Sequence, residues 1–324
     1  MSTSSSSSAA EARAALAAQI AEEIARPVSP PIAAMAEAIR ARHADAAEAV
    51  LFYGSSLREQ AAPALFDGVL DFYLLVSGYR RAYGSPGLAL ANRLLPPNVF
   101  YLELPWQGRR IRAKYAIIAT DQFRRRLAPG HAETAFWARF CQPVRLVVAR
   151  GEAARRALAD ALADAVLAFV AAALPLVGDR FAPRELWLAG FAATYRAEFR
   201  AEGTGRPETL YGFDAVRYDR LADRALRALA AVEAGPDAGG RYLRRAAFAA
   251  GAWRWSGRRW LGRTLHLLRL VKGTFTFDGG VDYILWKIER HTGRRPSMSD
   301  WERRHPVLAA PVLLVRFYRS GAFR

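Results

Sequence analysis

Between residues 49 and 149 five short apolar runs, each closed by turn-forming residues, commit that part of the chain to a sheet. Ala49-Val50-Leu51-Phe52-Tyr53 ends at Gly54-Ser55-Ser56. Val69 to Val76, Asn98 to Leu104 and Ile111 to Ala119 follow, and Val144 to Ala149 makes a fifth run. Trp106-Gln107-Gly108 supplies a hairpin turn between the third and fourth. The flanks read differently. Residues 9–26 and 31–48 are alanine-rich helical patterns, split by Pro27-Val28-Ser29-Pro30-Pro31, which no helix can cross. From Gly151 onward Leu158, Leu162, Val166, Phe169 and Val170 form a helical stripe that stops near Pro175. Helical patterns recur at 184–200 and 215–234, with a loop at 235–240. The expectation is an α+β chain: a mixed sheet with flanking helices over 31–150, then a mostly helical domain over 151–300. A chain of 324 residues accommodates about two such domains.

Composition narrows the chemistry. Lys and Arg number 47 against 30 Asp and Glu, a formal charge of +17, which favours a phosphate-rich partner: nucleic acid, nucleotide or anionic membrane. One cysteine, Cys141, excludes an internal disulfide and a thiolate-rich metal site, and five scattered histidines form no zinc-type cluster. The longest apolar run, Ala165 to Val177, has 13 residues and contains Pro175, short of the ~20 that a spanning helix needs. The serine tract Met1 to Ser8 lacks the basic and apolar regions of a signal peptide, so residues 1–30 are expected to form a disordered tail and a helix. A cytoplasmic protein follows as the expectation.

The stretch Phe52-Tyr53-Gly54-Ser55-Ser56, followed by Val69-Leu70-Asp71-Phe72, has the layout of a nucleotidyltransferase: strand, Gly-Ser turn opening a helix, second strand carrying an acid. Gly54 lets backbone approach a triphosphate, and Ser55, Ser56 and the amides of the turn can bind its oxygens. Asp71 would then hold a magnesium ion that neutralises the departing pyrophosphate. Two residues on stands Tyr73 rather than a second acid. Glu103 is the better candidate for the second metal carboxylate, since a directly paired strand would bring it within ~5 Å of the Asp71 face. An ordinary strand-helix turn, and a solvated edge for Glu103, are the plain alternatives. Only three of the basic residues are lysines, Lys114, Lys272 and Lys287. In so arginine-rich a chain, lysines are candidates for places that want a compact ammonium.

These segments resemble the mitochondrial-type CDP-diacylglycerol synthases, the soluble phosphatidate cytidylyltransferases also called the mitochondrial translocator assembly and maintenance protein family. Phe52 to Leu57 with Gln60, and Leu70-Asp71-Phe72, are similar to the start of that family. In the same order come Asn98-Val99-Phe100-Tyr101, Lys114 to Thr120, Gln142-Pro143-Val144, the helix Leu158 to Leu174, Tyr195-Arg196-Ala197-Glu198-Phe199-Arg200, and Lys272-Gly273-Thr274-Phe275-Thr276. The resemblance implies a nucleotidyltransferase domain followed by a winged-helix-like helical domain. It implies magnesium-dependent transfer of CMP from CTP to phosphatidic acid, giving CDP-diacylglycerol and pyrophosphate. Carried over by position, Gly54 and Ser55 hold the triphosphate, Asp71 the metal, and Lys114 and Lys272 contact phosphates. The segment Ser77 to Gly84 departs from the family, and Glu103 matches no family residue.

An enzyme acting on a bilayer lipid must reach the interface. The apolar-basic tail 301–324, with Val312 to Val315, Phe317, Arg316 and Arg319, is one candidate for contact with an anionic membrane surface. Trp253-Arg254-Trp255-Ser256-Gly257-Arg258-Arg259-Trp260 is another. Packing onto the helical domain is the alternative for both. Rival readings keep the fold and change the function: transfer to RNA or protein, with nucleic acid disfavoured by the ordered motifs, or a non-catalytic membrane-binding module.

Overall fold

The computed structural model describes residues 2–58, 66–198 and 205–276, together with 285, 298, 299, 301 and 302. Its centre is a five-stranded mixed sheet built from β1 (Ala47–Tyr53), β2 (Leu70–Val76), β3 (Asn98–Trp106), β4 (Arg109–Ala119) and β5 (Val144–Ala149), in the order β3-β4-β2-β1-β5. Only β2 and β4 run parallel. The hairpin between β3 and β4 is a two-residue loop, with Trp106 opposite Arg109. Gln107 and Gly108 take φ of 46° and 73°, the doubly left-handed turn whose twist matches that of the strands it joins.

The period-two alternation of the strands assigns each side chain to a face. Val50, Phe52, Leu70, Phe72, Leu74, Tyr115 and Ile117 point to one face. They pack there with Ile32, Met35 and Ile39 of α2 (Pro30–Arg42) and Tyr79 of α4 (Tyr79–Tyr83), the helix α3 (Ser55–Arg58) having followed β1. Ser85 caps α5 (Pro86–Leu94) on the same side by accepting the Leu88 amide. Ser77 to Gly84, where the family resemblance breaks, therefore belongs to this face, with Tyr79 and Tyr83 stacked at 6.1 Å.

Leu51, Tyr73, Leu75, Ala116 and Ile118 point the other way, into a larger core. That core runs without interruption through Phe123 of α6 (Thr120–Leu127), Phe136, Trp137 and Phe140 of α7 (Thr134–Phe140), and α8 (Glu152–Ala173). It continues into Trp187 and Phe191 of α9 (Pro183–Ala197) and, past α10 (Arg206–Phe213), Tyr218 and Leu221 of α11 (Ala215–Ala228). The boundary expected at residue 150 is thus no break in the core. Gly190 allows the close approach of α8 and α9: a Cβ there would stand 2.4 Å from the Phe169 ring, which stacks on Trp187 at 4.6 Å. The helical half carries one two-stranded ribbon, β6 (Arg180–Phe181) with β7 (Tyr242–Leu243), and its last described helix is α12 (Arg254–Thr276).

Several expectations change. The second helical pattern ends at Arg42 rather than 48, because Ala47 already starts β1. The first helix, α1 (Ser2–Ile24), begins inside the serine tract, so the expected disordered tail is the first turns of a helix in this structure. Serine is only mildly unfavourable there, and the alanine-rich stretch behind it propagates the helix. Leu16, Ile20 and Ile24 of α1 are buried, and Glu23 pairs with Arg217 of α11 at 2.6 Å. Glu152–Leu176 forms a segment of 25 residues apolar enough to cross a membrane, longer than the run visible in the sequence, but 78% of its most apolar stretch is buried within the protein. Of the candidate membrane tail 301–324, only 301 and 302 are among the described residues. The Arg-Trp stretch divides: Trp255 is buried and donates its indole N–H to the Ala172 carbonyl (3.0 Å), while Trp253 and Trp260 are 75% and 70% exposed.

Candidate functional site

The sheet pairs Tyr53 of β1 with Asp71 of β2, and Asp71 in turn with Lys114 of β4. All three belong to the face covered by the helical half, so one row across the sheet carries an aromatic, a carboxylate and an ammonium. Lys114 Nζ lies 3.6 Å from the Asp71 carboxylate. Gly54 follows Tyr53 with φ of +93°, and a Cβ on it would meet Asp71 Oδ2 at 3.1 Å. Glycine is required there twice over, by backbone conformation and by the nearness of the acid. Burial pushes the Asp71 carboxyl above the usual range, while the charges of Lys114 and Arg139 pull it back down. Its side chain remains 28% exposed, to the cavity.

That cavity, of about 970 Å³, lies between this row and the helical half. Gly54, Ser55, Asp71, Lys114 and Lys272 all line it. Lys272 reaches it from α12, whose path is set by Gly262: a Cβ there would stand 2.4 Å from the Ala197 carbonyl oxygen at the end of α9. Beyond this contact, Arg269 donates to the Pro96 carbonyl (2.8 Å) and to Glu133. Lys272 donates to the carbonyls of Leu95 and Pro97, the latter at 2.9 Å. Burial, with Arg269 adding to it, pushes the Lys272 ammonium down to about 8. Two of its three N–H groups are thus engaged with carbonyls, leaving one for the cavity.

Two expectations need correction. Ser56 does not line the cavity; its hydroxyl makes a long contact of 3.5 Å to the Val69 carbonyl. Glu103 shares the face of Asp71, as alternation demands, but β4 lies between their strands and Glu103 stands opposite Arg112, one row further along. Two strand spacings and that offset put it roughly 10 Å or more from Asp71. Its carboxylate is taken by Arg110 at 2.8 Å and Arg112 at 3.4 Å. The strand order, which the sequence does not show, removes it from the site. Of the helix expected to open after the Gly-Ser turn, the described residues are Ser55 to Arg58, which form α3.

Sequence reasoning missed several lining residues, among them Arg139, Glu133, His266 and Arg269. Glu133 is buried between Arg126 and Arg269. Arg139 projects from α7 onto the sheet, where Nη1 donates to the Tyr73 hydroxyl (3.3 Å) and the guanidinium faces the Tyr53 ring at 5.4 Å. Burial alone would lower its pKa, but Tyr53, Tyr73, Glu198 and Asp71 together raise it. The one available signal for this region was Gln142-Pro143, three residues on, both of which line the cavity. Glu198, from the Tyr195 motif, lines it as well.

Among the described residues no three His, Cys, Asp or Glu side chains gather around a common point. Three carboxylates line the cavity, Asp71, Glu133 and Glu198, and Glu133 is taken by Arg126 and Arg269. Asp71 is a hard ligand that suits a magnesium ion arriving with a polyphosphate, whose oxygens would complete the shell. Models of known protein families do not match this chain, and no curated protein is significantly similar to it.

Proposed function

We propose that this cavity is the active site of a phosphatidate cytidylyltransferase on a nucleotidyltransferase-like sheet, transferring CMP from CTP to phosphatidic acid and releasing pyrophosphate. The observation that carries the reading is that Gly54, Ser55, Asp71, Lys114 and Lys272 open onto one cavity. They come from the turn after β1, the start of α3, β2, β4 and the last described helix, and were singled out by short motifs alone. A volume of about 970 Å³ lies at the upper end of the ~300–1,000 Å³ typical of small-molecule sites, room for a nucleotide together with a headgroup. The two-stranded ribbon within the helical half is compatible with a winged-helix-like arrangement.

The attacking group is a phosphomonoester, already mostly ionised near neutral pH, so its oxygen needs no strong general base to reach the α-phosphorus of CTP. The protein supplies position and charge. Gly54, lacking a side chain, lets the polyphosphate approach the backbone beside Asp71. Lys114 holds the Asp71 carboxylate and brings positive charge to the place where the phosphate oxygens would lie. Lys272 and Arg269 fasten α12 across the mouth of the sheet and so shape the cavity wall. Magnesium, bound with the nucleotide at Asp71, would neutralise charge on the leaving pyrophosphate. Trp253, just before α12, and Trp260 within it are exposed near Arg254 and Arg259 and would rest in the headgroup layer at the cytoplasmic face of an anionic membrane.

The test is transfer of label from α-labelled CTP into lipid by purified full-length protein, with phosphatidic acid presented in liposomes and magnesium added. Labelled CDP-diacylglycerol is the expected product, and Asp71→Asn is expected to lose turnover by at least ~100-fold with an unchanged circular dichroism spectrum. Label that fails to enter lipid, or an Asp71→Asn protein as active as the wild type, refutes the reading. The same assay with RNA or protein as acceptor tests the rival transfer reactions.

A further inference from the structure

We infer that Arg139 is the oxyanion ligand of the cavity, its guanidinium fork taking the phosphate oxygens of the bound substrate beside Asp71. The inference deepens the nucleotidyl-transfer reading and rests on it for the identity of the phosphate.

Phe136, Trp137 and Phe140 bury the rest of α7 in the larger core, which fixes the helix and leaves Arg139 aimed at the sheet. Tyr53 and Asp71 are register partners, and Tyr73 lies two residues along β2 on the same face. A guanidinium bonded to Tyr73 and facing Tyr53 therefore lies over the β1–β2 pair, next to Asp71 and on the opposite side from Lys114.

Four other sequestered arginines have carboxylates, Arg217 with Glu23 at 2.6 Å, Arg244 with Asp179 at 2.7 Å, and Arg126 and Arg269 sharing Glu133, whereas Arg145 and Arg258, which do not line the cavity, have none among the described residues. Arg139 has no ion-pair partner among the described residues. Its one hydrogen bond runs to a neutral phenol at 3.3 Å, long for a charged donor. A guanidinium cannot shed its proton and carries five N–H donors, and that of Arg139 belongs to a residue lining the cavity. Asp71 and Glu198 stand close enough to favour its charge, but neither is within ion-pair distance, so its donors remain open to an anion that enters the cavity. The neighbouring cations are differently placed: Lys114 lies against Asp71, Lys272 against two carbonyls, Arg269 against Glu133. A planar fork in that setting matches phosphate in a bidentate way that an ammonium cannot.

The test uses the full chain with inorganic pyrophosphate, and separately CTP, titrated calorimetrically at low salt. Arg139→Lys keeps the charge and removes the fork. It is expected to weaken pyrophosphate binding by at least ~10-fold while leaving the unfolding midpoint of the unliganded protein close to that of the wild type. Unchanged affinity in Arg139→Lys, or a lowered midpoint with unchanged affinity of the folded fraction, assigns Arg139 a structural role and overturns the inference, as does a wild type that binds no pyrophosphate. If Arg139→Lys does not fold, wild-type protein carries the test: phenylglyoxal modification of Arg139, read by peptide mass spectrometry, should be blocked by pyrophosphate and not by sodium chloride of equal ionic strength. Unblocked modification overturns the inference. Failure here is separable from failure of the proposed reaction. Lipid labelling that persists at wild-type kcat/KM in Arg139→Lys sinks the arginine alone; pyrophosphate binding lost in Arg139→Lys, with no lipid labelling by wild type, sinks the reaction alone.

Discussion

Replacing Gly54 by alanine tests how the turn after β1 serves the carboxylate on β2. Two costs are built into the site. The φ of +93° is a region that L side chains rarely adopt, a strain of about 1–2 kcal/mol, partly offset by the ~0.4–1 kcal/mol that alanine gains by restricting the unfolded chain. The new Cβ would also sit 3.1 Å from Asp71 Oδ2, closer than ordinary contact, so the carboxylate must yield by a few tenths of an ångström. Net destabilisation of about 1–2 kcal/mol is expected by urea unfolding followed by circular dichroism. Because a misplacement of ~1 Å can cost 100-fold in rate, the smaller shift of Asp71 should lower CTP-to-lipid transfer about tenfold. The two costs separate in a double-mutant cycle. In an Asp71→Ala background the nearest oxygen is gone and the backbone strain remains, so Gly54→Ala should cost less than in the wild type by at least ~0.5 kcal/mol. A Gly54→Ala protein with wild-type stability and turnover, or strictly additive costs in the cycle, refutes the reasoning.

Further outcomes follow from buried charges. Lys272 titrates near 8 in the folded protein, against an ordinary 10.5, so between those values the unfolded chain keeps a proton that the native protein has lost. This lysine's contribution to stability therefore rises with pH through that window, by about 1–3 kcal/mol after allowing for its partial exposure. The difference in unfolding free energy between wild type and Lys272→Met should track it, and a pH-independent difference between 7 and 10.5 contradicts it. Glu23→Ala removes the partner of a buried arginine and should cost about 3–5 kcal/mol by denaturant unfolding, with protease sensitivity appearing first in α1. A loss below 1 kcal/mol would mean that α1 is not integral to the core.

Much of the sheet was readable from the residues. Val144–Ala149 forms as expected to the residue, β2 begins one residue later than expected, and the Gln107-Gly108 turn closes the hairpin that its flanking apolar runs require. Helix limits were less legible. Alanine favours helix and tolerates strands, so the change from α2 to β1 is invisible in a stretch such as Ala44 to Ala49, where tertiary pairing decides. The candidate site was legible where a residue's chemistry is tied to a local turn, as at Gly54. It was illegible for Arg139, one arginine in a chain full of them, whose neighbours in space lie on strands 66 and more residues away.

By itself the amino-acid order determined which residues alternate to which face of each strand, where four of the five strands stop (β3 runs two residues past Leu104, to Trp106), and that an acid stands at the start of the second one. Those are properties of a backbone with a two-residue repeat and of residues that permit or forbid particular dihedral angles. Tertiary structure alone decided that β4 lies between β2 and β3, which brings Lys114 to Asp71 and leaves Glu103 with two arginines instead. It also decided that α12, some 200 residues beyond Gly54, forms a wall of the same cavity. Strand order and helix docking follow from how the whole chain buries its apolar faces at once, a sum over distant contacts that no local segment carries.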